Sequence, residues 1–297
     1  MRETAAPGRP VAIFRPWERS LVRRVAVYVL LASFGVGLAL PFLWMLSTGL
    51  KPDAQVFAFP PEWVPSPALW RNFGDSLTLA GHSVDRYLLN TTIISISNVV
   101  GVLLISSLTA FAFARLRFPG RDALFILVIS TMMIPFIVYI VPTFILFQRL
   151  GWLDTFRPLI APVWLGQMGG AFHIFLMRQF FLTIPMDLDE AARVDGASSL
   201  RIYWHIILPL AKPVLATSAI LTFAYHWNDF LWPLIVLSSS KNWTLALYLA
   251  SFQGYMIQPR WNLLMAAATI LTLPSILIFF LAQRHFIRGI TMTGIRG

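Results

Sequence analysis

The chain has no cysteine among its 297 residues, which excludes a disulfide framework, a thiolate metal site and a cysteine nucleophile. Charge is scarce as well. Only 12% of residues are charged against 57% hydrophobic, so the polar surface is too small to cover a water-soluble globule of this length. Lipid must be part of the solvent. No Gly-x-Ser-x-Gly or His-Glu-x-x-His occurs, and no pair of carboxylates falls inside an apolar run, which argues against an intramembrane enzyme. The phosphate-cradling Gly-x-x-x-x-Gly-Lys-Ser/Thr is missing too, which argues against a P-loop nucleotide site in these residues.

Acidic residues are few, 13 against 23 Lys and Arg, which leaves a formal charge of +10. Such a balance suits nucleic-acid binding only when the basic residues build a face or groove. Here they lie between apolar stretches, and membrane topology accounts for them. A helical span needs about 20 apolar residues to cross about 30 Å of hydrocarbon. Six segments qualify: Val25–Leu46, Tyr87–Ala114, Ala123–Phe147, Pro158–Met177, Pro213–Ser240 and Trp261–Ala282. Five hold no charged side chain and the fifth in order holds only Asp229, so each is expected to cross as a self-satisfied helix. The arginines ahead of Val25 resemble a signal peptide's basic flank. The run after them is longer than a signal core and ends in Leu-Pro-Phe-Leu-Trp-Met-Leu without a cleavage pattern, so it is read as a retained span.

Sorting Lys and Arg among the loops sets the orientation. With a cytoplasmic N-terminus, sixteen of the 23 fall inside and seven outside. Both termini are therefore expected in the cytoplasm. The organisation expected is an all-α membrane protein: a tail over 1–24, a six-helix domain over 25–284, and a second tail over 285–297. Ser47–Arg86, rich in Pro and Trp, suits an outer cap at the membrane interface.

The loop from Gln179 to Lys212 carries the sharpest signal. Asp187, Asp189 and Glu190 precede Arg193, an order that suits the macrodipole of a short helix over about Met186–Asp195. Gly196 permits a turn, Ser198 or Ser199 can cap a second short helix, and Pro209 is expected to end it. Read from residues alone, this is a helix-turn-helix at the cytoplasmic surface, and an ordinary loop helix would look the same.

Glu190-Ala191-Ala192, then Gly196, then Ile207-x-Pro209 resembles the EAA loop, here about 184–209, of ABC importer permeases. Ala112-Phe113-Ala114-Arg115-Leu116-Arg117-Phe118-Pro119-Gly120-Arg121, Trp227-Asn228-Asp229-Phe230-Leu231-Trp232-Pro233-Leu234 and Phe286-Ile287-Arg288-Gly289-Ile290 are similar to segments of the shorter permease of maltose-type transporters. The resemblance implies a type I ABC importer transmembrane domain in the bacterial inner membrane. It further implies a sugar or sugar-like substrate, a second homologous permease, two ABC ATPase subunits that bind ATP and Mg, and an extracytoplasmic solute-binding protein. No cofactor or metal is implied in this chain. Glu190, Ala191, Ala192, Asp195, Gly196 and Pro209 would then couple to the ATPase, and the C-terminal tail would reach between the ATPase subunits.

Inside the apolar segments, Asp229 is placed about 24 Å along a helix from Pro213 at 1.5 Å per residue. A carboxylate facing lipid there costs about 3 kcal/mol, so it should face a pore or a protein partner. Trp227, Asn228 and Asp229 either line a sugar path or hold a gate together. Gln167 is a weaker pore candidate. His173 is expected to bond a neighbouring helix, and Gly166-x-x-x-Gly170 fits close helix packing. Asn90, Ser95, Ser97 and Asn98 either line a polar path or bond across helices. Five prolines, 135, 142, 162, 233 and 274, are candidate kinks. An ion-coupled secondary transporter is the main rival, although it usually carries more intramembrane charge and an internal repeat.

Overall fold

The computed structural model describes residues 21–78, 84–167, 169–254 and 260–291. The first 20 residues of the N-terminal tail and residues 292–297 of the C-terminal tail lie outside the described residues. No strand occurs among the described residues, as apolar runs require when lipid offers no hydrogen-bond partner to the backbone.

Three elements are single long apolar helices: α1 (Leu21–Gly49), α3 (Val84–Arg115) and α14 (Trp261–Thr291). Between α1 and α3 lies the short α2 (Arg71–Asp75). After α3 come α4 (Arg121–Ser130), α5 (Phe136–Arg149), α6 (Arg157–Trp164) and α7 (Gly170–Thr183). A loop pair follows, α8 (Asp187–Val194) and α9 (Ser199–Ile202), then a π-helical turn over Tyr203–Ile207 and α10 (Leu208–Leu210). The chain closes with α11 (Lys212–Trp227), α12 (Leu231–Val236), α13 (Leu245–Gly254) and α14.

Continuous helices were expected over all six apolar segments, and three of those segments are broken. The third bends by 96° between 121–133 and 136–149, where Pro135 forbids the α conformation to Ile134; Ile134 is extended at φ −84°, ψ 112°. The fourth is interrupted between α6 and α7, where Gly166 and Gly169 take φ values of +81° and +98°. The fifth stops at Trp227 and resumes at Leu231. Among the described residues, helices long and apolar enough to cross a membrane number three, or up to five with each sharply bent pair as one span. Of the candidate kinks, only Pro135 sits at a sharp bend; α14 runs through Pro274 as one helix.

The core forms around α3, which packs on α7, α11 and α6. At its Arg115 end, Phe111 and Ala114 pack with Met177 and Phe181 of α7 and with Tyr203 and Ile207 of the π turn. At its Val84 end, Tyr87 joins Phe223, Trp227, Tyr248 and Leu263. A third cluster joins Ile94 to Phe147, Leu159 and Trp232. By contrast α1 is exposed over most of its length and meets the bundle mainly at α14. Beyond α1, Lys51 is fully buried with its Nζ 3.9 Å from the Trp44 ring centroid. Its carbonyl accepts from Asn72 at 2.9 Å and from Asn262 at 3.2 Å. The loop after α1 is thereby fixed to the start of α14.

Polar side chains in the apolar segments bond across elements. Asn90 donates to the Lys241 and Trp243 carbonyls at 3.0 and 2.9 Å, and Asn98 donates to Leu159 at 3.0 Å. Trp164 Nε1 donates to the Ser97 carbonyl at 3.1 Å and to its hydroxyl at 3.2 Å. His173 Nε2 lies 3.2 Å from Thr222 Oγ1 on α11. Gly166 and Gly170, expected to pack two helices closely, flank the break instead, and a Cβ at either would meet nothing within 4 Å. The close approach is at Gly101, where a Cβ would lie 2.8 Å from the Trp164 indole.

Candidate functional site: the loop between α7 and α11

Helix α8 covers Asp187–Val194, slightly inside the expected 186–195, with three acidic residues in its first turn and Arg193 in its last. It ends in a Schellman turn: Ala197 N–H reaches the Ala192 carbonyl at 2.9 Å and Gly196 N–H the Arg193 carbonyl at 3.0 Å. Gly196 has φ +79°, the left-handed region that costs an L-residue about 1 kcal/mol. Ser198 then caps α9, its hydroxyl accepting from Arg201 N–H at 3.3 Å. Pro209 does not end this segment as expected. It sits inside α10, after a π turn, and the chain bends by 78° just beyond Leu210.

The loop has two faces. Glu190, Ala191, Asp195, Gly196 and Pro209 are exposed, while Ala192 is half-buried against the core. Beside them Val194 is 88% exposed, with Leu188, Leu200 and Trp204 also outward. So many apolar groups around a few acids form a surface suited to a protein partner. The inner face holds Ile202, Tyr203 and Ile207, all buried. Tyr203 hydroxyl lies 2.7 Å from Ser107 Oγ on α3, and its ring packs 5.3 Å from Phe111.

The remaining candidates do not form one constellation. Trp227 is buried, donates from Nε1 to the Leu271 carbonyl at 3.1 Å and stacks on Phe223. Its ring therefore packs α11 against α14. Asn228 is exposed and donates back to Ala224 at 2.8 Å. Asp229 is half-buried in the break, where its carboxylate faces the Trp232 backbone N–H, so it is not the mid-helix acid expected. Trp227 and Asn228 border a cleft of about 220 Å³ with Leu249 and Thr272; Gln167 and Asp229 do not line it. Gln167 is exposed in the break after α6, its N–H bonded to Pro162 at 2.8 Å.

Two polar groups escaped the sequence reading. Arg115, at the end of α3, is buried against α8. At the other end of the bundle, Asp154 accepts the backbone N–H groups of Ser238 at 3.1 Å and Ser239 at 2.9 Å, and the Ser239 hydroxyl as well. Asn242 donates to its carbonyl at 2.6 Å. Burial opposes the charge on Asp154, but these donors outweigh it and hold the carboxyl at about 2. Asp154 has no periodic or motif signal, and Arg115, although it lies in the family-like segment over 112–121, carries no signal of its burial against α8.

The half-exposed loop thus joins apolar helices, several of them long enough or paired so as to cross a membrane. The chain belongs to the family of binding-protein-dependent transport system inner membrane components, whose pattern matches residues 102–292. It is a permease subunit of an ABC importer and a multi-pass inner-membrane protein. It is 37% identical over 247 residues to the sn-glycerol-3-phosphate transport system permease protein UgpE of Yersinia pestis bv. Antiqua (strain Antiqua), covering 80% of this chain and 85% of that one. To the protein of the same name in Agrobacterium fabrum (strain C58 / ATCC 33970) it is 31% identical over 282 residues, covering 93% and 99%. Among solved structures, a bacterial ABC transporter involved in the import of the acidic polysaccharide alginate superimposes with a TM-score of 0.77 at 25% identity, covering 89% of this chain and 96% of that one.

Proposed function

We propose that the chain forms half of the translocation path of an importer for a sugar or sugar-like solute and works by alternating access. A second, similar permease forms the other half. Two separate ATPase subunits bind ATP and Mg, and a solute-binding protein delivers substrate at the outer face. In this reading both termini and the α7–α11 loop are cytoplasmic and the chain crosses the membrane six times. The exposed side of α8 and the turn after it, with Glu190, Ala191, Asp195 and Gly196, seats on the ATPase, the half-buried Ala192 lets the loop approach closely, and the exposed Pro209 belongs to the same coupling surface. Asp229, Asn228, Trp227 and Gln167 belong to the pore or its gate.

The observation that carries this reading is α8 itself, a short acidic helix with its motif face exposed and its end fixed by a glycine that must be left-handed. The test is purification of the tagged chain in mild detergent, with co-purifying chains identified and ATPase activity assayed, beside uptake of labelled sn-glycerol 3-phosphate and of alginate oligosaccharides. Recovery of a second permease and an ATPase is expected, with Glu190→Ala lowering uptake at least tenfold while the chain remains in the membrane. A lone chain or homo-oligomer without ATPase would replace this reading with an ion-coupled carrier.

A further inference from the structure

Among the described residues of α8, Asp189 alone is buried, with 1% exposure. A helix lying at a surface ordinarily turns its apolar side inward; this one turns a carboxylate. Neither carboxylate oxygen has a hydrogen-bond donor, and the cation facing it is Arg115, whose Nη1 lies 3.8 Å from Oδ1. Arg115 is 3% exposed and closes α3. Its Nη2 donates at 2.7 Å to both the Phe181 and Ile184 carbonyls at the end of α7; the Phe181 carbonyl also accepts the Ile184 N–H at 3.1 Å, so for that group Arg115 is a second donor at the helix terminus. Its Nη1 also reaches Met186 Sδ, ahead of α8.

One guanidinium thus joins the ends of α3 and α7 to the one fully buried side chain of α8, beside which Ala192 also packs on the core. We propose that Arg115 is a positioning residue that clamps α8 to α3 and α7 through Asp189, so that the three move as one body when the ATPase closes. The geometry favours a clamp over a simple packing contact because the pair is loose and charged. An apolar residue at 189 would hold α8 without any cation. A buried carboxylate with no hydrogen-bond donor and Arg115 as its facing cation makes the seat of α8 depend on that cation, since removing it leaves the Asp189 charge buried and uncompensated. Ser107 and Tyr203 add a second tie between α3 and the same loop, 96 residues apart in sequence.

The inference rests on α8 contacting the ATPase, and the test separates the two. Because the chain has no cysteine, Leu88→Cys at the far end of α3 and Asp187→Cys on α8 give the only thiols of this chain for a spin-label pair, with any cysteines of the partner subunits replaced by serine. The distance is measured by pulsed electron resonance in the complex in lipid nanodiscs, without nucleotide and after trapping with ATP and vanadate. A single sharp distance in both states is expected, with Asp189→Asn broadening it and making it shift on trapping. Arg115→Lys, which keeps the charge but loses the fork, should give an intermediate distribution. A distance that shifts in the unsubstituted complex, or one that Asp189→Asn leaves as sharp and as fixed, would overturn the proposal. If no ATPase co-purifies, the functional reading fails by that observation. The nucleotide-free distributions of the two variants still decide whether the clamp exists.

Discussion

Asp154 sits at φ 57°, a region that a non-glycine residue occupies when its neighbours hold it there. Its donors come from Ser238, Ser239 and Asn242, so one residue ties the α5–α6 loop to the loop after α12. Hydrogen bonds to a charged group contribute about 1.5–3 kcal/mol in such settings. Asp154→Ala should therefore lower the thermal midpoint in detergent and speed amide exchange at Ser238 and Ser239. The pH dependence follows from the direction of the shift. A carboxyl held at about 2 stabilises the fold above the ordinary carboxylate range and loses that contribution as pH falls through about 2. The gap in midpoint between Asp154→Ala and the unsubstituted chain should hold steady from pH 7 to pH 5; a gap that closes across that interval would contradict the assignment. Gly196 offers a second prediction, since its φ of +79° has open space around the missing Cβ. Gly196→Ala should cost only about 1 kcal/mol of backbone strain, while Gly196→Asp, which also adds charge beside Asp195, should reduce uptake further without loss of membrane-inserted protein.

Helices α1, α3 and α14 were legible because an apolar run with few breakers can satisfy its backbone in only one way. The interrupted segments were not, because composition reads the same whether a helix continues or stops. Leu165-Gly166-Gln167 fits a small-residue packing stripe as well as a turn, and only the positive φ of Gly166 decides. Helix α8 and the Ser198 cap were legible to within a residue because acids, glycine and cap residue all act locally, whereas the π turn and the bend beyond Leu210 were not. Its inner anchor was not, since Arg115 and Asp189 are 74 residues apart and a single sequence carries no trace of their meeting. The same holds for Gly101, whose role appears only with Trp164 in place. Gly101→Ala should push the indole off Ser97 and destabilise α3–α6 packing by about 1–3 kcal/mol. Gly101→Ala with Trp164→Leu should recover part of that loss, as read by thermal unfolding in detergent.

For the whole molecule, the lack of cysteine turns orientation into a clean measurement. Phe59 and Val194 are 93% and 88% exposed and lie in different loops. In spheroplasts, an impermeant maleimide should modify Phe59→Cys directly and Val194→Cys only after the membrane is opened. Direct labelling of Val194→Cys, with Phe59→Cys modified only after opening, would invert the topology drawn from the arginines. The interruptions after Met133, Trp164 and Trp227 also bear on how such a body deforms. Bending an intact helix ruptures i to i−4 bonds, whereas a chain already interrupted has none to break at that point. Mechanical compliance is therefore concentrated at a few joints, with α3 left as a stiff strut between them.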